Sequence, residues 1–158
     1  MASFKDGNNN EWIIALNIGS IKRVKTNIDI DLLYTDDAQE TPLLLSLQDD
    51  PCELADILYH LIKPQADKKD VSYEAFLDAV DGDTIAGGYN ALTDELVNFF
   101  QKKGDIAKAK SLKKVQFMVK TTLIALDKEV EKISDEDVAK QVEDSIGTLF
   151  TQQPESSE

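Results

Sequence analysis

From Pro51 to Phe150 the apolar residues recur three and four positions apart, stretch after stretch, and that spacing admits little besides packed helices. The first stripe is Leu54, Ile57, Leu58, Leu61 and Ile62. Asp49-Asp50-Pro51 opens it, because proline's fixed φ suits a first helical turn and the aspartates favour its positive end. Pro64 is expected to bend or weaken the end of this helix, and residues 67–70 read as a solvated loop. Ser72 is a candidate N-cap for a helix holding Tyr73, Phe76, Leu77 and Val80, which stops at Asp81-Gly82. Asp83 is then a candidate cap for a helix whose face is Ile85, Tyr89, Leu92, Leu96, Phe99 and Phe100. Gly87 and Gly88 inside it cost about 1 kcal/mol each against alanine, so close helix packing is their expected use. A long pattern follows from Asp105 to Ile133, through Leu112, Val115, Val119, Leu123, Leu126 and Val130. Ser134-Asp135-Glu136 begins a last helix carrying Val138, Val142, Ile146, Leu149 and Phe150.

The first eighteen residues have a different pattern. Ala2 to Lys5 and Glu11 to Ile18 read as two strands joined by Asp6-Gly7-Asn8-Asn9-Asn10, a composition that tolerates positive φ. Gly19 is expected to end the second strand. Ser20 would cap a short helix through Ile21 and Val24, and Asn27 would close it in the left-handed conformation. Ile28 to Leu33 read as a connector to Tyr34, residues 35–41 as a polar loop, and Pro42 as the start of a short helix with Leu43, Leu44, Leu45 and Leu47. The fold class is therefore mostly α, with an N-terminal β-hairpin followed by a bundle of five to seven helices. Trp12, Leu58, Phe76, Leu92, Leu96 and Phe99 are the expected core. Residues 1–104 form the body, 105–150 a C-terminal helical pair of the same domain, and 151–158 a disordered tail.

Several functions are excluded by what the chain lacks. No apolar run approaches the roughly 20 residues that cross a bilayer, and the first residues lack the apolar segment of a signal peptide, so a cytoplasmic protein is expected. One cysteine, Cys52, leaves no internal disulfide and reads as a small half-buried hydrophobe near a helix start. The one histidine, His60, falls beside an apolar stripe with no activated serine or cysteine context. Zinc would need more nitrogen and sulfur ligands. An EF-hand loop opening at Asp81 would need glycine and glutamate where Ala86 and Leu92 stand. No glycine-rich phosphate loop occurs, so no cofactor and no catalytic site are expected. A net charge of −13 and a single arginine, Arg23, argue against nucleic acid and anionic membranes as partners.

Two features remain that suit protein partners. Leu112, Val115, Val119 and Leu126, then Val138, Val142, Ile146 and Leu149, are aliphatic stripes fit to pair with another helix, either in this chain's own core or in a partner, including a second copy. Lys102, Lys103, Lys108, Lys110, Lys113 and Lys114 make a basic segment that reads either as a solvated helix face or as an electrostatic docking surface.

The order of features over residues 12–100 resembles the tail assembly chaperones of long-tailed phages and prophages. The residues concerned are Trp12, Gly19, Lys22-Arg23-Val24-Lys25, Asp31-Leu32-Leu33, Asp50-Pro51, Leu54-Ala55-Asp56-Ile57-Leu58, Gln65-Ala66, Phe76, Gly82-Asp83-Thr84-Ile85 and Asn98-Phe99-Phe100. They cover a little over half the chain, and none lies beyond Gly104. The resemblance implies a non-enzymatic tail morphogenesis factor that binds tape-measure-like or tail-tube-like proteins in the host cytoplasm. The alternatives are a structural virion component, such as a tail-associated or head–tail connector subunit, and an acidic DNA-mimic inhibitor.

Overall fold

Ala2–Lys5 (β1) and Glu11–Ile14 (β2) pair antiparallel, with Phe4 opposite Trp12 and Ala2 opposite Ile14. The period-two alternation turns Phe4, Trp12 and Ile14 inward and leaves Ile13 exposed. In this computed structural model, which describes residues 1–33, 43–133 and 135–151 (the last three by backbone alone), seven helices follow the hairpin among the described residues. They are α1 (Ile18–Ile28), α2 (Leu43–Asp49), α3 (Pro51–Lys68), α4 (Tyr73–Asp78), α5 (Gly82–Lys103), α6 (Ile106–Lys132) and α7 (Asp135–Thr151). A mostly α fold with an N-terminal hairpin is what the spacing predicts. Tyr34, the loop 35–41 and Pro42 lie outside the described residues.

Caps explain where the element boundaries differ from expectation. The second strand stops at Ile14 because Asn17 caps α1: its Oδ1 accepts from the Ser20 N–H at 3.0 Å, and Ser20 Oγ accepts from the Asn17 N–H at 3.0 Å. Ser20 is thus the third helical residue rather than the cap, and Gly19 sits inside the first turn. The left-handed closing residue is Asp29 (φ 56°), not Asn27. Asp81, not Asp83, caps α5, its Oδ1 accepting from the Thr84 N–H at 2.8 Å and the Thr84 hydroxyl at 2.7 Å. Helix α4 ends at Asp78, one turn short of the expected stop.

Helix α3 continues past Pro64 to Lys68, so Asp67 and Lys68 of the expected loop are helical and only Lys69 and Asp70 form a turn. Proline has no N–H, so the carbonyl of His60, four residues earlier, loses its helical donor. Arg23 on α1 replaces it, donating from Nη1 to the His60 oxygen at 2.9 Å. Arg23→Ala would leave that carbonyl short of a partner. We expect it to lower stability by about 1–2 kcal/mol, read as a shift of the urea midpoint at constant slope. A shift within the range of an ordinary surface substitution would mean that solvent already satisfies the carbonyl.

The body is built where α3, α5 and the hairpin meet. Strand β1 packs on α5 and β2 on α3, and α1 packs on α3 as well. The Gln65 amide on α3 closes the open edge of β2, accepting from the Ile13 N–H at 3.1 Å and donating to the Ile13 carbonyl at 2.6 Å. Gly88 lets α5 approach α3 closely: a Cβ there would stand 2.3 Å from Leu58 Cδ1, and Leu58 is fully buried. Trp12, Leu58, Phe76, Leu92 and Leu96 all show no exposure. Phe99 is only half-buried. Phe100 continues the Tyr89-Leu92-Leu96 face by a further turn and takes the core position, with Phe99 edge-on to it at 5.8 Å between ring centres.

The chain divides into two compact units, Met1–Gln116 and Phe117–Glu158. The first unit holds the hairpin, α1 to α5 and the opening turns of α6, where Ala109 and Leu112 are buried. The second holds the rest of α6 and α7.

Candidate functional site

Among the described residues, the densely bonded carboxylate Asp6 has a structural task. Its carboxylate sits almost completely buried in the hairpin turn. It accepts from the Asn8 N–H (3.0 Å), the Asn10 N–H (2.9 Å), the Asn10 side-chain amide (3.0 Å) and Trp12 Nε1 (2.9 Å). Burial pushes its pKa up, but these donors outweigh burial and hold it below the ordinary aspartate value. The turn is tied to the body by the Gly7 N–H, which donates to the Ala79 carbonyl at 2.7 Å. A Cβ on Gly7 would meet that oxygen at 2.8 Å. Asn9 takes the left-handed conformation of the turn.

Other buried polar groups are bonded within the fold as well. Glu95, buried on α5, accepts from the Ala2 N–H at 3.1 Å. Tyr89 donates its hydroxyl to the Leu44 carbonyl at 3.0 Å, and burial raises its pKa. His60 is half-buried, and burial lowers its pKa, with the Arg23 and Lys63 charges adding to the effect against Asp56. Cys52 is exposed rather than half-buried: it occupies the first turn of α3, on the side away from the core. Among the described residues no group of three or more His, Cys, Asp or Glu is placed to hold a metal ion. No described helix is long and apolar enough to cross a membrane. A cleft of about 510 Å³ is lined by Lys25, Asp31, Ser46 and Glu53, and its lysine already pairs with Asp31 at 2.8 Å.

The surface without a structural task lies in the second unit. Every described residue from Lys120 to Thr148 is exposed. Among them are Leu123, Leu126, Val130 and Ile133 of the α6 stretch and Val138, Val142 and Ile146 of α7, each between 47 and 66% exposed. Val119, Leu123, Leu126 and Val130 follow steps of four, three and four, a coiled-coil seam on one side of α6 whose spacing Ile133, just past the helix end, continues. The α7 residues step by four, a straight helix face. Phe117 and Ile124 are exposed on the opposite side of α6.

The sequence-predicted residues divide accordingly. Leu112 and Val119 are buried and Val115 is half-buried, while Leu126, Val138, Val142 and Ile146 stand free. The Leu149 side chain lies outside the described residues. Leu123, Val130 and Ile133 belong with the free set, and the heptad step is the signal that joins them to Leu126. Of the lysines, Lys102, Lys103, Lys110, Lys113 and Lys114 are exposed. Lys108 is not available in the same way: its ammonium donates to the Leu33 carbonyl at 2.7 Å and lies 4.8 Å from the Phe100 ring centre.

Several of the residues that carry the phage resemblance perform structural work. Trp12 and Phe76 meet edge to face in the core, Arg23 satisfies His60, Gln65 closes the strand edge and Asp50 caps α3 through the Glu53 N–H. No family model, curated protein or solved structure matches the chain.

Proposed function

We propose that this is a non-enzymatic binding protein that receives an amphipathic helix on the free aliphatic faces of α6 and α7. Its biological role, on this reading, is that of a phage tail morphogenesis factor of the assembly-chaperone kind. The observation that carries the binding reading is the run of exposed aliphatic residues from Leu123 to Ile146. Exposed apolar patches on an otherwise well-buried protein mark interaction surfaces, because leaving them in water forgoes about 25 cal/mol per Å². The morphogenetic role is supported by the resemblance over residues 12–100, and a helical tape-measure-like protein is the partner it implies.

Leu126→Gln combined with Val142→Gln tests the binding surface. Glutamine keeps helix propensity and removes only the apolar contact. Binding to a helical tape-measure-like segment should weaken by about tenfold or more, since about 1.4 kcal/mol is a factor of ten. The unfolding midpoint should stay the same. Unchanged binding would place the docking surface elsewhere. Cosedimentation with purified particles separates an assembly factor, absent from them, from a permanent virion component.

A further inference from the structure

We infer that the partner helix is basic: the surface selects an amphipathic helix whose apolar stripe is flanked by lysine or arginine. This rests on the helix-binding reading above and adds its charge. From Asp127 to Asp144 the chain carries eight carboxylates and three lysines, a net −5 over a stretch whose described residues are all exposed. Position matters more than the total. In α6, the charged residues closest to the Leu123-Leu126-Val130-Ile133 seam are Asp127 along one edge and Glu129 along the other, where coiled coils place the charges that choose partners. Glu129 pairs with Lys132 at 3.3 Å, but both side chains are more than 70% exposed, and such a pair yields to a competing cation at little cost. In α7, Glu136 and Glu143 line one edge of the Val138-Val142-Ile146 face, neutral Gln141 and Ser145 line the other, and Lys140 lies on the far side of the helix.

The same edges disfavour a second copy as the occupant. If the α6 seam paired antiparallel with itself, matching Leu123 to Ile133 and Leu126 to Val130, Asp127 would face Asp127 and Glu129 would face Glu129. Like charges at those sites oppose pairing. An acidic helix is rejected for the same reason, and a basic one gains at both edges.

Three synthetic amphipathic helices with one leucine seam and flanks of lysine, glutamine or glutamate test this against the full chain, by fluorescence anisotropy. The lysine helix should bind about tenfold or more tighter than the glutamate helix, and that margin should shrink as salt screens the flanks. The triple variant D127K/E129K/E143K should reverse the order. Equal binding of all three helices would overturn the charge inference and leave helix binding intact. Binding of none, with a monomeric chain by sedimentation, would overturn both. Binding of none with a dimer that L126Q/V142Q dissolves would show a second copy on the seam and overturn the basic partner.

Discussion

Asp6→Ala is expected to destabilise the body by about 3–5 kcal/mol, a large share of what a domain of this size possesses. Four donors converge on that carboxylate, and one of them, Trp12 Nε1, belongs to a ring with no solvent exposure. Alanine leaves that indole N–H and two backbone N–H groups without acceptors in a place water reaches poorly. The hairpin would lose its turn, and with it the Gly7 bond to the Ala79 carbonyl that docks the turn at the α4–α5 junction. Chemical denaturation measures the loss, and a change below about 1 kcal/mol would mean that water takes over the acceptor role. The pH dependence is a second readout. The folded pKa of Asp6 lies below its ordinary 3.8, so the unfolded chain takes up the proton first as pH falls. The stabilisation is complete well above pH 3.8, begins to decline as the unfolded form protonates, and is gone once pH passes below the folded value. Asp6→Asn keeps one acceptor oxygen but turns its amide toward another donor. It should lose part of the stability and this acid sensitivity.

How much of this could be read from the chain follows from which physics sets each feature. Helix faces are set by periodicity, so the helices and the positions of Leu58, Leu92 and Leu96 were legible at once. Boundaries are set by single hydrogen bonds, and several residues near each boundary compete for them. Asn17 and Ser20 both suit a cap, as do Asp81 and Asp83, and which one wins depends on the chain's path into the helix. Pro64 is accommodated inside α3 because its cost falls on a carbonyl that a distant residue, Arg23, can satisfy. Asp6 was invisible as the centre of the turn, because no local pattern says that Trp12 will fold back over it. On the proposed surface, periodicity gave the exposed α7 stripe Val138, Val142 and Ile146, whereas the α6 stripe mixed residues with two fates. Leu112 and Leu126 share one helical side fourteen residues apart, and only burial distinguishes them.

Removal of residues 134–158 should separate binding from folding most cleanly. Every described residue of α7 with a placed side chain is exposed, so its deletion removes no buried side chain among them. The truncated chain is expected to unfold cooperatively with a midpoint within about 2 °C of the full chain, since stability changes below about 0.5 kcal/mol move a domain of this size little. Affinity for a helical tape-measure-like segment should nevertheless fall by about tenfold or more, because the Val138-Val142-Ile146 face and its Glu136 and Glu143 edge are gone. The α6 seam would remain and account for residual binding, which Leu126→Gln in the truncated chain should then abolish. A truncated protein that aggregates or loses its cooperative transition would instead assign α7 to the core. Its aliphatic face would then close the fold, and the α6 seam alone would be left to meet a partner.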